Sequence, residues 1–326
     1  MVEKMLEARN LRKSFLLKDG LARRRRLLAV DGVSFSVQEG ETFAVVGESG
    51  SGKTTLAMLM TRLLQPDTGS VYLEGKDVLS LDRRELLSFR RSVQMIFQDP
   101  FASLDPRMRV GQIIGEGMRI HRLCGRAEQR DRVGELLDLV GLPADATDRF
   151  PHEFSGGQRQ RIGIARALAV EPRLIVADEP VSALDVSVQA KILNLLVELK
   201  AKRRLTYIII AHNMRLVARV ADTIGVMYHG RLMEIAPARE LFVRPAHPYA
   251  KLLLASIPSL QKASAQHAVV PWYEPASDSR GCRFRMRCAE ELPLCQKTEP
   301  ELVNISQGRL VACHRFCSPD HPIPSQ

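Results

Sequence analysis

The sequence predicts an α/β fold in which helices cover the faces of a mostly parallel β-sheet. Short apolar runs rich in β-branched residues alternate with longer stretches whose apolar residues recur at helical spacing. Each run ends at a glycine or a polar residue, and the runs are 42–47, 93–98, 174–177 and 206–211. In such sheets the functional groups collect at the carboxyl ends of the strands, so we expect the chemistry there.

The stretches between these strands complete the predicted fold. Apolar positions at helical spacing over about 109–151, such as Val133, Leu136, Leu137 and Val140, predict an all-helical insert. The turn at 66–69 follows the first helix. The other predicted helices lie at about 53–64, 155–170 and 186–203, and the predicted strand pairs at 70–79 and 223–235.

The character of the chain changes after Ala236, where prolines become frequent: Pro245, Pro248, Pro258, Pro271 and Pro275. We therefore predict a main domain at 1–245, with a helical subdomain at about 100–165, and a small C-terminal extension at 246–326 that contains most of the cysteines. A chain of 326 residues is long enough for one large domain and such an appendage.

Composition narrows the class of protein. No apolar stretch reaches the roughly 18–20 residues of a membrane-spanning helix, and the charged segment 1–10 lacks the apolar centre of a secretion signal. We therefore expect a cytoplasmic protein. The net charge of +10 suits nucleic acid, an anionic membrane surface or anionic nucleotides, and equally suits plain solubility. The basic run 23–26 is interpreted as a solvated loop tip, with a membrane-facing role as the alternative.

A phosphate-binding loop follows the first buried strand. The segment 47–54 matches the pattern G-x-x-x-x-G-K-[ST], in which glycines let backbone N–H groups cradle phosphate oxygens. The next helix points the positive end of its dipole at the same anion. Lys53 is expected to reach the β- and γ-phosphates of ATP, and the Thr54 hydroxyl to bind Mg²⁺. The candidate residues are Gly47, Glu48, Ser49, Gly50, Ser51, Gly52, Lys53, Thr54 and Thr55.

Polar residues at three other strand ends supply the remaining catalytic candidates. Asp178 ends a buried strand and is a candidate Mg²⁺ ligand, and the adjacent Glu179 is a candidate general base for water attack. Gln98 is a candidate contact for Mg²⁺ or the lytic water, and its alternative is a polar strand cap. His212 is a candidate partner of the γ-phosphate, and its alternative is a structural histidine.

A second small-residue nest opens a later helix at Ser155, Gly156, Gly157 and Gln158. Like the first, it offers backbone N–H groups to an anion. One nucleotide does not need two phosphate nests from the same chain. The second nest is therefore expected to close over a nucleotide held by a partner chain.

These ordered elements resemble those of the ATP-binding cassette (ABC) ATPases. The segment 154–158 resembles their signature motif, 182–185 resembles their D-loop with Asp185, and Gln98 and His212 stand where their Q-loop glutamine and switch histidine stand. Segments 15–20, 96–107, 178–189 and 247–249 further resemble the ATPases of oligopeptide and dipeptide importers. There are two departures. Phe154 replaces a leucine and Asn213 an acidic residue, and neither change removes a catalytic group.

The resemblance implies a P-loop fold of ABC type and an ATP-hydrolysing importer subunit at the cytoplasmic face of the cell membrane. It implies that Phe15 stacks on adenine, for which a plain core residue is the alternative. A second ABC ATPase subunit would dimerise head to tail with this chain. Two transmembrane permease subunits would contact Gln98 and the segment after it. An extracytoplasmic solute-binding protein would deliver peptides, with another small solute such as nickel or glutathione as the alternative cargo.

Five cysteines crowd into the last part of the chain: Cys282, Cys288, Cys295, Cys313 and Cys317. In a cytosolic chain such clustering favours metal ligation over disulfides. The region resembles the C-terminal part of peptide-importer ATPases, some of which hold a [4Fe–4S] cluster there. Cys282, Cys288, Cys295 and Cys313 are the candidate ligands, while Cys317 and His314 are spare. Zinc and unliganded thiols remain alternatives, since no tight C-x2-C pair is present.

A competing function is a soluble ABC ATPase that acts on nucleic acid or ribosomes, which the basic charge favours. Relatives of that kind carry a long coiled coil or two cassettes in one chain, and this sequence has neither. A non-hydrolysing regulatory module is a further alternative, against which Glu179 and His212 argue. The sequence therefore favours the importer subunit, with no nucleic-acid partner.

Overall fold

The computed structural model describes residues 4–19, 23–99, 101–182, 184–257 and 281–317, without the side chains of 18, 19, 23–25 and 317. Some features used above lie outside the described residues: Gly20, Pro100, Ala183, Pro258, Pro271, Pro275, the Cys317 side chain and most of the basic run.

The strands are β1 (Lys4–Asp19), β2 (Arg23–Gln38), β3 (Thr42–Val46), β4 (Thr68–Leu73), β5 (Lys76–Asp77), β6 (Val93–Ile96), β7 (Leu174–Asp178), β8 (Thr206–Ala211), β9 (Thr223–Tyr228), β10 (Arg231–Pro237), β11 (Val303–Ser306) and β12 (Arg309–Val311). The helices are α1 (Lys53–Met60), α2 (Arg83–Ser92), α3 (Val110–Ile120), α4 (Arg126–Leu139), α5 (Gly156–Leu168), α6 (Val186–Arg203), α7 (Met214–Val217), α8 (Ala238–Val243), α9 (Pro248–Ala255) and α10 (His314–Cys317). In the ranges covered, no helix has the length and apolarity needed to cross a bilayer.

The main sheet has the strand order β11-β12-β10-β9-β3-β8-β7-β6. Its central part, from β9 to β6, is parallel. Every residue of β3, β7 and β8 is buried, as expected for parallel strands that are covered on both faces. The predicted α/β fold with a mostly parallel sheet is therefore confirmed. The carboxyl ends of β3, β7 and β8 lie side by side, and this arrangement positions the site.

The stretch predicted to be helical contains α3 and α4, which share one apolar cluster with α5. Ile114, Leu137 and Ile162 from these three helices are fully buried in that cluster. The cluster continues to Ile175 and Ile209 of the main sheet. Helix α5, which begins at the second nest, therefore packs in the same apolar cluster as strands β7 and β8, which end at the site.

A second sheet, in the order β2-β1-β4-β5, is antiparallel throughout. Its long β1–β2 hairpin was not predicted from the sequence. The inner faces of this sheet and the main sheet share a cluster that includes Leu11, Val30 and Phe43, together with Leu56 of α1. Helix α1 ends at Met60, earlier than predicted, because Arg62 adopts a left-handed backbone with φ of 52°.

The extension continues the main sheet. The β11–β12 hairpin pairs with β10, with Glu234 opposite Val311. Tyr249 of α9 and Phe284 pack in one cluster with Tyr228 of β9, at ring-centroid distances of 4.6 to 5.4 Å. The described part of the extension is thus joined to the sheet by strand pairing and by aromatic packing.

Candidate active site

The loop 47–54 turns tightly between β3 and α1. Gly50 and Gly52 adopt left-handed backbone angles, with φ of 79° and 99°. A Cβ atom on Gly52 would lie 1.9 Å from the Ala29 carbonyl oxygen, so only glycine fits there. The loop therefore follows the path on which backbone N–H groups can cradle phosphate.

Lys53 folds back onto this loop. Its Nζ donates hydrogen bonds to the carbonyl oxygens of Gly47 at 2.9 Å and Glu48 at 2.7 Å, and to Ser51 Oγ at 3.3 Å. Burial lowers the pKa of Lys53, while the nearby carboxylates of Glu179, Asp178 and Glu48 oppose that shift. A buried ammonium surrounded by carbonyl oxygens and carboxylates is suited to accept the phosphates of a nucleotide.

Thr54 and Asp178 meet across the junction of α1 and β7. Thr54 Oγ1 donates a hydrogen bond to Asp178 Oδ1 at 3.2 Å. Burial raises the pKa of Asp178, and the Thr54 hydrogen bond opposes the rise. A hydroxyl beside a carboxylate fits Mg²⁺, which proteins bind through one or two such oxygens together with substrate phosphates.

Two predicted residues, Gln98 and His212, converge on one carboxylate oxygen of a third, Oε2 of Glu179. Gln98 Nε2 donates to it at 3.1 Å, and His212 Nδ1 lies 3.0 Å from it. Glu179 itself has a φ of 43°, which is uncommon and strained for a non-glycine residue. Its backbone N–H donates to Ile210 O at 3.0 Å, which fixes it beside β8. The geometry gives this carboxylate a defined orientation, as a general base requires.

The second nest forms a capped helix start. The N–H of Gln158 donates to Ser155 Oγ at 3.4 Å, and the N–H of Ser155 donates to Gln158 Oε1 at 2.9 Å. A Cβ on Gly157 would lie 2.5 Å from Val188 of α6. The Ser155 carbonyl also accepts a hydrogen bond from the N–H of Arg159 at 2.9 Å. In the covered residues, no hydrogen bond joins Ser155 or Gln158 to the loop 47–54.

The other predicted site residues occupy less constrained positions. Phe15 lies on β1 opposite Leu27, half-buried, with Lys13 Nζ 5.9 Å from the centre of its ring. Asp185 is exposed at the start of α6. Ser49 is exposed in the loop, and Thr55 lies in the first turn of α1.

The two sequence departures have local roles. The Asn213 side chain caps α7 by accepting a hydrogen bond from the N–H of Arg215 at 3.0 Å. Phe154 is buried in the helical cluster, and the Arg149 guanidinium lies 4.5 Å from the centre of its ring. Neither residue is hydrogen-bonded to Glu179, Lys53 or Asp178, all of which the structure describes.

The cysteines of the extension lie in apolar surroundings. Burial raises the pKa of Cys282 to about 12 and that of Cys288 to about 11, so both thiols are protonated at neutral pH. Among the residues with described coordinates, no group of three or more His, Cys, Asp or Glu side chains has the arrangement of a metal site. A [4Fe–4S] cluster needs four converging thiolates, and the ligand set Cys282, Cys288, Cys295 and Cys313 stays a prediction.

Sequence reasoning missed two residues that contact the loop. Arg287 donates to both carboxylate oxygens of Glu48, and the N–H of Glu48 donates to the Tyr249 hydroxyl. Both lie in the predicted extension, far from the loop in sequence. No local pattern indicates such long-range contacts, and only the folded chain reveals them.

Two family models match the chain. The model described as ABC transporter matches residues 30–182, a range that includes the loop, Gln98, Ser155 and Glu179. The model described as the C-terminal region of oligopeptide/dipeptide transporters matches residues 233–295.

Solved structures share the fold. The cassette cbiO1 of Clostridium perfringens, described as part of the ABC transporter complex cbiONQ, is 28% identical with a TM-score of 0.64. The match covers 74% of this chain and 92% of that one. A dimeric post-hydrolysis ATP-binding cassette bound to ADP and phosphate is also 28% identical, with a TM-score of 0.65, over 72% of this chain and 99% of that one.

Curated relatives match over almost the whole chain. The oligopeptide transport ATP-binding protein AppF of Bacillus subtilis is 45% identical over 322 residues, which cover 96% of this chain and 98% of the relative. The protein OppF of the same organism, also an oligopeptide transport ATP-binding protein, is 47% identical over 305 residues, 92% of this chain and 98% of the relative. The chain is therefore an ABC ATPase, and it belongs to the oligopeptide-transporter branch of the ABC transporter family.

Proposed function

We propose that this ATPase couples ATP binding and hydrolysis to the uptake of peptides through partner permease subunits. The observation that carries the proposal is the convergence of Gln98 and His212 on Glu179, beside a complete phosphate-binding loop. The oligopeptide names of the relatives and of the C-terminal model support the cargo class. The comparisons lend no support to the alternative of a nucleic-acid or ribosome ATPase.

Each site residue has a proposed role. The N–H groups of the loop and Lys53 bind the phosphates, and Phe15 stacks on the adenine. Thr54, Asp178 and Gln98 hold Mg²⁺, which supplies charge neutralisation on the phosphate oxygens. Glu179 accepts a proton from the attacking water, while His212 orients Glu179 and contacts the γ-phosphate.

The proposed partners complete the site. In a head-to-tail dimer with a second ABC ATPase, the nest at 155–158 and Asp185 would face the nucleotide held by the partner. The nest supports this role because it opens α5, whose N-terminus favours an anion, and no hydrogen bond between described residues joins Ser155 or Gln158 to the loop of their own chain. Two membrane subunits and a solute-binding protein complete the proposed importer, which places the chain at the inner face of the membrane.

Transmission to the membrane subunits is assigned to the segment after Gln98. Phe101 in this segment is 61% exposed although it is a large apolar side chain. Its ring lies 3.8 Å from the guanidinium of Arg159, which belongs to the helix of the second nest. A membrane subunit that contacts Phe101 is therefore in touch with α5. This contact supports a mechanical link between the second nest and the permeases.

Two finer predictions remain hypotheses. One is the division into a main domain at 1–245, with its helical subdomain, and an extension at 246–326. The other is the iron–sulfur cluster, and no catalytic step is assigned to it. Elemental analysis and absorbance of anaerobically purified protein test the cluster, and the absence of both iron and zinc rejects metal ligation.

Peptide uptake by cells that express the whole transporter tests the proposed function. The native chain is expected to restore ATP-dependent uptake of a labelled tripeptide in cells that lack it, and the Glu179→Gln variant is not. Detergent-solubilised membranes are expected to yield the chain together with two hydrophobic subunits. Recovery of ribosomes or nucleic acid instead would reject the importer.

A further inference from the structure

The C-terminal extension reaches the phosphate-binding loop at Glu48, the second residue of the loop. The Glu48 carboxylate accepts hydrogen bonds from Nη1 and Nη2 of Arg287 at 2.8 and 2.9 Å. Its N–H donates to the Tyr249 hydroxyl at 3.0 Å, and its carbonyl accepts from Lys53 Nζ at 2.7 Å. Glu48 is thus held at three points, two of them by residues beyond position 245.

The ion pair between Arg287 and Glu48 is sheltered from solvent. The Arg287 side chain is 8% exposed, and that of Glu48 is 30% exposed. The Arg287 guanidinium lies 5.9 Å from the ring centres of both Tyr228 and Phe284. A two-pronged arginine–carboxylate pair in such surroundings is stronger and more directional than an exposed one.

A second arginine of the extension, Arg283, supports the loop indirectly, through the turn at His229 and Gly230. Arg283 donates hydrogen bonds to the His229 carbonyl and to the Asp31 carboxylate. The adjacent N–H of Gly230 donates to the Ser51 carbonyl of the loop at 2.9 Å. The turn that Arg283 holds is therefore the turn that holds the loop.

Because Glu48 is negatively charged, its ion pair with Arg287 is expected to affect nucleotide affinity. An unpaired carboxylate on a loop that cradles phosphates repels those phosphates, and the repulsion is strong where solvent is scarce. When a nucleotide draws the Lys53 ammonium to its own oxygens, Tyr249 and Arg287 still hold Glu48. The extension then supplies the contacts that hold the loop at Glu48 in its conformation.

We propose that Arg287 is a positioning residue of the nucleotide site, which neutralises and orients Glu48 so that the loop 47–54 is ready for phosphate. The inference rests on the proposed phosphate-binding role of that loop. It makes the extension a determinant of nucleotide affinity, although the extension contributes no atom to the chemistry.

The test measures the Kd of the full-length chain for trinitrophenyl-ATP, a fluorescent nucleotide. Arg287→Met is expected to raise this Kd about tenfold, because it leaves the carboxylate unpaired beside the phosphates. Arg287→Lys keeps the charge but loses the two-pronged geometry, so a rise of about threefold is expected. Adding Glu48→Gln to Arg287→Met removes the repelling charge and is expected to recover most of the lost affinity.

Salt dependence and a matched control separate this role from general stability. The loss in Arg287→Met is expected to shrink as ionic strength rises, because salt screens the repulsion between carboxylate and phosphate. Lys251→Met breaks an ion pair between α9 and Glu290 of the extension, 2.7 Å long, that does not reach the loop. This variant is expected to bind nucleotide within about twofold of the native chain, as for an exposed pair.

The outcomes are distinguishable. A native chain that binds no nucleotide overturns the proposed site and this inference with it. A native chain that binds, with an Arg287→Met variant of unchanged Kd, overturns the inference alone. Equal losses in Arg287→Met and in the double variant also overturn it. If Arg287→Met does not fold, the Kd of Arg287→Lys decides, and an unchanged value rejects the proposal.

Discussion

His212 and Glu179, which follow neighbouring strands β8 and β7, meet with 3.0 Å between Nδ1 and Oε2. The contact exists because the two parallel strands are in register, with Ala177 opposite Ile209 and Asp178 opposite Ile210. The sheet therefore sets the distance between the proposed general base and its orienting histidine.

Glu179→Gln is expected to slow ATP hydrolysis by about 10²- to 10³-fold, because an amide cannot take a proton from water. Nucleotide binding is expected to persist, since Glu179 is not among the phosphate ligands. Steady-state hydrolysis and nucleotide retention on a filter measure the two effects. Glu171→Gln, at an exposed carboxylate outside the site, is the control. Turnover near the native value in Glu179→Gln would remove Glu179 from the proposed role.

Two glycines of the loop are expected to differ sharply when each is changed to alanine. At Gly52 the added Cβ would collide with the Ala29 carbonyl oxygen, whereas at Gly50 no atom lies within 4 Å. Both positions have positive φ, so each substitution costs about 1 kcal/mol of backbone strain. Only Gly52→Ala is expected to abolish nucleotide binding, as measured by fluorescence titration. Equal affinities in the two variants would contradict the observed loop geometry.

Thr54→Val is expected to remove the effect of Mg²⁺ on nucleotide binding. Valine has the shape of threonine but no hydroxyl, so it leaves Asp178 without its 3.2 Å partner and offers no oxygen to the metal. Affinity for ATP is measured with EDTA and with excess Mg²⁺. The native chain should bind more tightly with Mg²⁺, while the variant should give similar values. An undiminished Mg²⁺ effect in the variant would place the metal elsewhere.

His247 is expected to make stability depend on pH. It is buried, and its Nδ1 accepts the hydrogen bond from the N–H of Tyr249 that starts α9. Burial, with a smaller contribution from Lys251, lowers the pKa of His247 to about 4 from an ordinary value of 6.5. The unfolded chain therefore takes up a proton first. The stability is fully present above pH 6.5 and is lost as the pH falls from 6.5 towards 4.

The free energy of unfolding is expected to fall by at most about 3 kcal/mol, a limit set by the size of the pKa shift of His247. Urea unfolding at pH 7.5, 6 and 5 measures the free energy of unfolding. His247→Asn keeps a capping oxygen for α9 but does not titrate, so its free energy of unfolding should fall less over this range. A fall as large as that of the native chain would assign the pH dependence to other groups.

The local pattern of apolar residues was sufficient to predict the central strands of the main sheet. The buried runs that became β3, β7 and β8 contain almost only apolar residues, and such runs predict a sheet covered on both faces. Helix α6 was predicted at about 186–203 and is observed over Val186–Arg203. The structure adds the reason for its end, which is the left-handed backbone of Arg204. The loop 47–54 was readable because phosphate binding demands glycines at fixed positions.

Long-range pairing was not predictable from local pattern. Two examples are the β1–β2 hairpin, with its shifts of register, and the pairing of β12 with β10. In both, the sequence of one strand does not indicate which strand it pairs with. The contact of Arg287 with Glu48 is of the same kind. The predicted ligation by the clustered cysteines stays a prediction, because their spacing in sequence does not define how their side chains are arranged, and the described side chains form no group of three or more metal-binding residues.

The pairing of β10 with β12 has a consequence for synthesis on the ribosome. Strand β10 is translated before β12. The edge of β10 that pairs with β12 therefore has unpaired N–H and C=O groups while the intervening residues are translated. Open edges of this kind recruit other strands, and a nascent chain held at that stage is prone to aggregate or to need a chaperone. The β10–β12 pairing can form only after Val311 has been translated, and a chain stalled before that point keeps this edge open to other strands.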